Sequence, residues 1–182
     1  FDARSPDDLR ARFERPAPLE IEVGPGKDDF VVQVAKEAPE TNFLAIERIR
    51  ERVDKLCFRI KRARLENVRV FLGDARYVFD RLLEAGSVQA IYVQHPDPYP
   101  KRRHARRRLF QPEFTERLAL RLEPGGRLNV STDSRPYAEQ IRECLDDTPG
   151  LVNTLGRGEW TTELPGYHQS VYERKRRAVG CM

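Results

Sequence analysis

The stretch from Leu19 to Lys36 restricts what this chain can fold into more than any other. Leu19, Ile21 and Val23 alternate with Glu20 and Glu22, the period-two signature of a strand, which runs straight into Gly24-Pro25-Gly26-Lys27-Asp28-Asp29. Apolar residues then crowd Phe30-Val31-Val32-Gln33-Val34-Ala35-Lys36, which predicts a helix ending near Pro39. In a strand, glycine turn and helix, the glycines let a ligand approach the backbone and the helix N-terminus offers free amides.

The same alternation continues. Phe43 to Ile46 reads as a second strand ending at Glu47, roughly 20 residues past the glycines, where an acid can accept hydrogen bonds from a ribose. The alternative for Glu47, a surface acid at a helix start, fits its register at the strand's end less well. Ile49, Val53, Leu56 and Ile60 recur at helical spacing among arginines, giving an amphipathic helix. Val68 to Leu72 is a third strand, closed by Gly73-Asp74-Ala75, where Asp74 is either an ordinary turn residue or an acid placed beside an adenine. A helix over Tyr77 to Ala85 leads to a fourth strand, Ala90 to Val93.

Beyond it the chain stiffens into His95-Pro96-Asp97-Pro98-Tyr99-Pro100, where three prolines fix φ and remove amide donors. Lys101, Arg102, Arg103, His104, Arg106, Arg107 and Arg108 follow, a density of positive charge that a polyphosphate partner would reward. Proline loops are commonly punctuation and charge runs are commonly solvated faces, so the meaning of this stretch depends on its surroundings. Pro112 opens a helix marked by Phe114, Leu118 and Leu122, and Pro124-Gly125-Gly126 stops it. Leu128 to Val130 makes a fifth strand ending in Ser131-Thr132-Asp133, and Pro136 suits the first turn of a helix running to about Asp147. Leu151 to Leu155 is a candidate sixth strand.

Strand and helix in alternation predict an α/β fold, a doubly wound and mostly parallel sheet with helices on both faces and right-handed crossovers. Ligands of such sheets collect at the carboxyl ends of the strands. Glu22 lies near the first of those ends, and Glu47, Asp74, Asp97 and Asp133 follow the other four; coincidence explains two or three of these acids easily and all five badly. Residues 1–17 read as a lead-in with one helical turn at most, and 18–182 as a single domain that lacks an evident strand to cover its last edge. Either the C-terminus is incomplete or the edge is covered otherwise.

Composition narrows the partners. The net charge is only +4 while the pI is about 9.1, so the basic excess is local, in Lys101 to Arg108 and in the tail Arg174-Lys175-Arg176-Arg177. Hydrophobic residues at 39% support a core, and no apolar run approaches the roughly 20 residues of a membrane helix. No basic-then-apolar leader is present, so a cytoplasmic chain with no membrane partner is expected, and Phe1 in place of Met suggests an upstream segment. Cys57, Cys144 and Cys181 have no metal-ligand spacing, so reduced thiols and no metal are expected, with Cys57 and Cys144 facing a core.

Glu22-Val23-Gly24-Pro25-Gly26, Ala45-Ile46-Glu47, Gly73-Asp74-Ala75, Pro96-Asp97-Pro98-Tyr99-Pro100-Lys101, the basic run, Gln111-Pro112-Glu113-Phe114 and Ser131-Thr132-Asp133, in that order and spacing, resemble the bacterial tRNA (guanine-N7-)-methyltransferases. The resemblance covers nearly the whole chain. It implies a Rossmann-like class I methyltransferase that moves a methyl group from S-adenosylmethionine to N7 of a guanine in the tRNA variable loop. It also implies cofactor-contacting roles for Glu22, Gly24, Gly26, Glu47, Asp74 and Asp97, a catalytic role for Asp97, and substrate-binding roles for Lys101 and Asp133. Ser170-Val171-Tyr172-Glu173 is similar to the family's C-terminal Thr-x-Tyr/Phe-Glu motif, which adds Ser170 and Glu173, and the basic run adds Arg102, Arg103, Arg106, Arg107 and Arg108 as tRNA contacts. The chain departs from the pattern at Asp28, which replaces a third glycine and either weakens cofactor binding or caps the helix, and at Tyr99, which replaces a Trp.

Two other functions stay open at this level: a non-catalytic tRNA-binding protein derived from the enzyme, and a nicotinamide-dependent oxidoreductase, against which the missing GxGxxG spacing counts. A monomer and a homodimer are both compatible with the sequence.

Overall fold

A computed structural model of the chain describes residues 5–162. Its elements in order are α1 (Pro6–Arg10), β1 (Leu19–Val23), α2 (Phe30–Glu37), β2 (Asn42–Glu47), α3 (Arg50–Arg62), β3 (Val68–Leu72), α4 (Ala75–Tyr77), β4 (Val88–Gln94), α5 (Pro112–Arg121), β5 (Leu122–Ser131) and α6 (Arg135–Asp146). A π-helical turn, Val78–Leu82, continues α4, and a 3-10 helix spans Arg102–Arg107.

All pairings are parallel and the strand order is β3-β2-β1-β4-β5. The chain therefore winds outward from β1 to β3, returns across β1, and winds outward again through β4 and β5. The reversal puts the topological switch point between β1 and β4, the place where such sheets take ligands.

The helices cover both faces. Phe30, Val31 and Val34 of α2 and Val53, Leu56 and Ile60 of α3 pack on Phe43, Ala45, Val68 and Val70. On the other face Ile21, Val23, Leu44, Ile46, Ile91 and Val93 meet Val78, Phe79, Phe114, Leu118, Tyr137 and Ile141. Every residue of β2 is buried, because a central parallel strand has no solvated face. Each fully buried Phe, Leu or Ile adds about 1.5–3 kcal/mol relative to exposure. The lead-in packs as well: Leu9 of α1 is buried in the second core, and Arg10 is paired with Glu84.

Several local expectations change. The helix after Asp74 begins at Ala75, two residues early, and is over by Leu82, where it ends in the wider, underwound π turn before β4. Pro124-Gly125-Gly126 does not separate helix from strand: β5 starts at Leu122, and the register jumps from Val88 opposite Leu122 to Ala90 opposite Arg127, so these residues form a bulge. Residues 151–155 form no strand, and Val152 is 87% exposed, so the apolar pair Leu151-Val152 had no sheet to join. Cys57 points to solvent on the outer side of α3, and Cys144 is half-buried.

Candidate active site at the carboxyl rim of the sheet

The register carries the five acids to one rim. Val23 of β1 lies opposite Ile46 and Val93, Glu47 opposite Leu72, and Gln94 opposite Ser131, so all five strands end together. Glu22 precedes the last residue of β1, Glu47 ends β2, and Asp74, Asp97 and Asp133 follow β3, β4 and β5 by two or three residues.

Glu22 is buried, and its Oε2 has no hydrogen-bond partner among the described residues. Burial, and then the Asp28 carboxylate, push its pKa up to about 8; the Val31 amide in the first turn of α2 and Arg59 pull it the other way. Glu47 is buried too, but held. Its Oε1 accepts from the amides of Arg48 at 2.7 Å and Ile49 at 2.9 Å, and its Oε2 accepts from Gly26 N at 3.1 Å. Arg52 stands 3.7 Å from the same oxygen.

That contact with Gly26 is possible because Gly24 and Gly26 take φ of 71° and 60°, the left-handed region that a side chain disfavours. A Cβ on Gly24 would meet nothing within 4 Å, so space lies open in front of the turn. Asp28 does not cap α2. It sits one residue before the N-cap, Asp29, and accepts that residue's own amide at 2.8 Å. Asp74 caps α4, accepting from Arg76 N at 2.8 Å, and is half-buried.

Asp97 is exposed, and the residues around it adopt unusual backbone conformations. His95 and Tyr99, both non-glycine, have φ of 47° and 39°, a cost on the order of 1–3 kcal/mol each that surrounding contacts must offset. His95 N continues the sheet by donating to Ser131 O at 2.9 Å, and its Nδ1 lies 4.0 Å from Asp133 Oδ1, so the start of the proline loop is held against the end of β5. No sequence pattern marks His95, or Gln94, whose amide is buried without a hydrogen-bond partner among the described residues.

The basic run forms the 3-10 helix beside this rim, with Lys101, Arg103, Arg106 and Arg107 exposed. Arg102 belongs to the same helix. Arg106 and Arg107 line a cleft of about 470 Å³ together with Tyr99, Arg48 from the end of β2, Arg76 of α4 and Arg117 of α5. Those last three arginines were not among the expected site residues, because they come from separate segments that only the fold assembles. Arg108 differs from its neighbours: its guanidinium turns inward to Pro98 O, 2.7 Å from Nε, and to Gln140. Ser170 and Glu173 lie outside the described residues.

A family model described as "Putative methyltransferase" matches residues 16–180. A tRNA (guanine-N(7)-)-methyltransferase of Syntrophotalea carbinolica is 40% identical over 97% of this chain and 75% of that protein. One of the same description from Geobacter metallireducens is 36% identical over 97% of this chain and 83% of its own length. The chain belongs to the tRNA (guanine-N7-)-methyltransferase family. A solved precorrin-6y C5,15-methyltransferase from Geobacter metallireducens shares the fold, with a TM-score of 0.57 over 75% of this chain and 66% of that one at 14% identity. The Rossmann-like fold is thus that of class I methyltransferases. Membership in the tRNA methyltransferase family gives no support to the oxidoreductase or the non-catalytic alternative.

Proposed function

We propose that this chain transfers a methyl group from S-adenosylmethionine to N7 of a guanine in the variable loop of tRNA. The observation that carries the reading is the convergence of five acids on one rim beside an arginine-lined cleft. Family membership supports the reaction, since the relatives named above are tRNA (guanine-N7)-methyltransferases.

The residues at the crevice suit the cofactor. The open face of Gly24 can take a close-lying chain, and the orphaned Glu22 Oε2 is a buried acceptor suited to an ammonium group. In this reading Glu47 accepts from the ribose hydroxyls and Asp74 from the adenine amino group. When bound, S-adenosylmethionine supplies an electrophilic methyl group.

Guanine N7 carries a lone pair and no proton, so this chain needs no base to activate it. Its contribution is to hold the purine in near-attack geometry and to stabilise the positive charge that methylation leaves on the ring. Asp97 does the second by accepting from N1–H and the exocyclic amino group, with Asp133 beside it. Tyr99 offers a ring to stack on the extruded base, whose unstacking costs a few kcal/mol. Lys101, Arg106, Arg107 and the cleft arginines neutralise the tRNA backbone. Among the described residues no helix is long and apolar enough to cross a membrane.

Incubation with methyl-labelled cofactor and unmodified tRNA, followed by nucleoside analysis, tests the proposal. The expected product is 7-methylguanosine. Label on any other nucleoside overturns it.

A further inference from the structure

We infer that Arg108 is a positioning residue for the Asp97 loop and not a cation for RNA, an inference that rests on reading Asp97 as the acting carboxylate. In the sequence it is one more arginine in a basic run. In the fold its side chain is only partly exposed, and each nitrogen faces a protein acceptor. Nε donates to Pro98 O at 2.7 Å, Nη2 approaches Tyr99 O at 3.5 Å, and Nη1 donates to Gln140 Oε1. The guanidinium carbon lies 5.0 Å from the ring centroid of Tyr137, which is fully buried.

The partners are themselves anchored. Gln140 Nε2 donates to Phe110 O at 2.9 Å, and the Tyr137 hydroxyl accepts from Phe110 N at 3.2 Å. Helix α6 therefore grips the chain on the far side of Arg108, while Arg108 grips the two carbonyls that follow Asp97. Such a brace answers a specific need. Pro96, Pro98 and Pro100 leave only Asp97 and Tyr99 with backbone donors between them, and His95 and Tyr99 both sit at positive φ. The prolines fix φ at their own positions only, and a segment so poor in donors cannot meet its own carbonyls, so these are met from outside. A planar fork with five N–H groups reaches two successive carbonyls and a side-chain amide at once; a lysine ammonium keeps the charge but not that geometry.

The test is Arg108→Lys in the full chain, with steady-state tRNA methylation, thermal unfolding and amide hydrogen exchange. The brace predicts a kcat loss of roughly ten- to a hundredfold, the range expected when reacting groups shift by about an ångström. It also predicts KM for tRNA and its salt dependence at wild-type values, an unfolding midpoint lowered by no more than a few degrees, and faster exchange at the hydrogen-bonded amides of His95 and His104 on either side of the proline loop. Wild-type kcat, a loss confined to KM, or unaltered exchange would each overturn it. If Arg108→Lys does not fold, Gln140→Leu takes its place, with a smaller kcat loss in the same direction expected and wild-type kcat overturning the brace. The exchange measurement is independent of turnover. An active Asp97→Ala enzyme would sink the role given to Asp97 while leaving the brace to be decided by exchange.

Discussion

Gly26 donates its amide to Glu47 Oε2 across 3.1 Å, so the turn after β1 and the end of β2 behave as one unit. With Arg48 N and Ile49 N on the other oxygen, one carboxylate satisfies three backbone donors at the mouth of the crevice. Glu47→Ala leaves those donors without their acceptor and should lower stability by about 3 kcal/mol. It should also weaken binding of S-adenosylhomocysteine at least tenfold by calorimetry, since the glycine turn loses its tie. Arg52, at 41% exposure, adds little, and Arg52→Ala should leave the unfolding midpoint nearly unchanged.

Glu22 makes stability depend on pH. Its folded pKa of about 8 lies above the ordinary value of 4.5, so the native state keeps a proton that the unfolded chain releases. The contribution is full below about pH 4.5 and is lost as pH rises toward 8, a change on the order of 3–5 kcal/mol. Urea unfolding of Glu22→Gln between pH 5 and 8.5 should show this component of the slope removed, with the variant more stable than wild type at the alkaline end. Parallel curves for the two proteins would contradict the burial argument.

The cleft makes a quantitative prediction about salt. Arg107→Ala and Arg48→Ala should each weaken tRNA binding and lower the steepness of log K against log salt by about 1, as expected when one phosphate contact is lost. Filter binding at several salt concentrations measures this directly. An unchanged slope for Arg48→Ala would remove the end of β2 from the tRNA path.

Asp97→Ala should abolish turnover while tRNA affinity stays within about twofold of wild type, because one exposed carboxylate in a basic surface contributes little to backbone binding. Near-normal methylation by this variant would reject the assignment of charge stabilisation to Asp97.

Much of this architecture was legible in order and spacing. Alternating Leu19, Ile21 and Val23, the all-apolar run through Phe43 to Ile46, and the helical recurrence of Val53, Leu56 and Ile60 are local patterns, and burial against a neighbouring layer requires them. Parallel pairing follows from the helical crossovers, so placing an acid after each strand also placed it on a common rim. The errors came where short-range signals compete. The glycines at 125 and 126 suit a stop and a bulge equally well, and the neighbouring strand selected the bulge.

The division of labour among like residues was decided elsewhere. Arg106, Arg107 and Arg108 are adjacent and chemically identical, yet two line an open cleft and the third is bound to Pro98, Gln140 and Tyr137. Glu22 and Glu47 both end buried, one with an orphaned oxygen and one with three amides. These differences depend on groups up to some thirty positions away in the chain, brought within hydrogen-bond reach only when the layers close. Periodicity reports which side of an element faces inward; what a side chain meets there is a property of the packed whole.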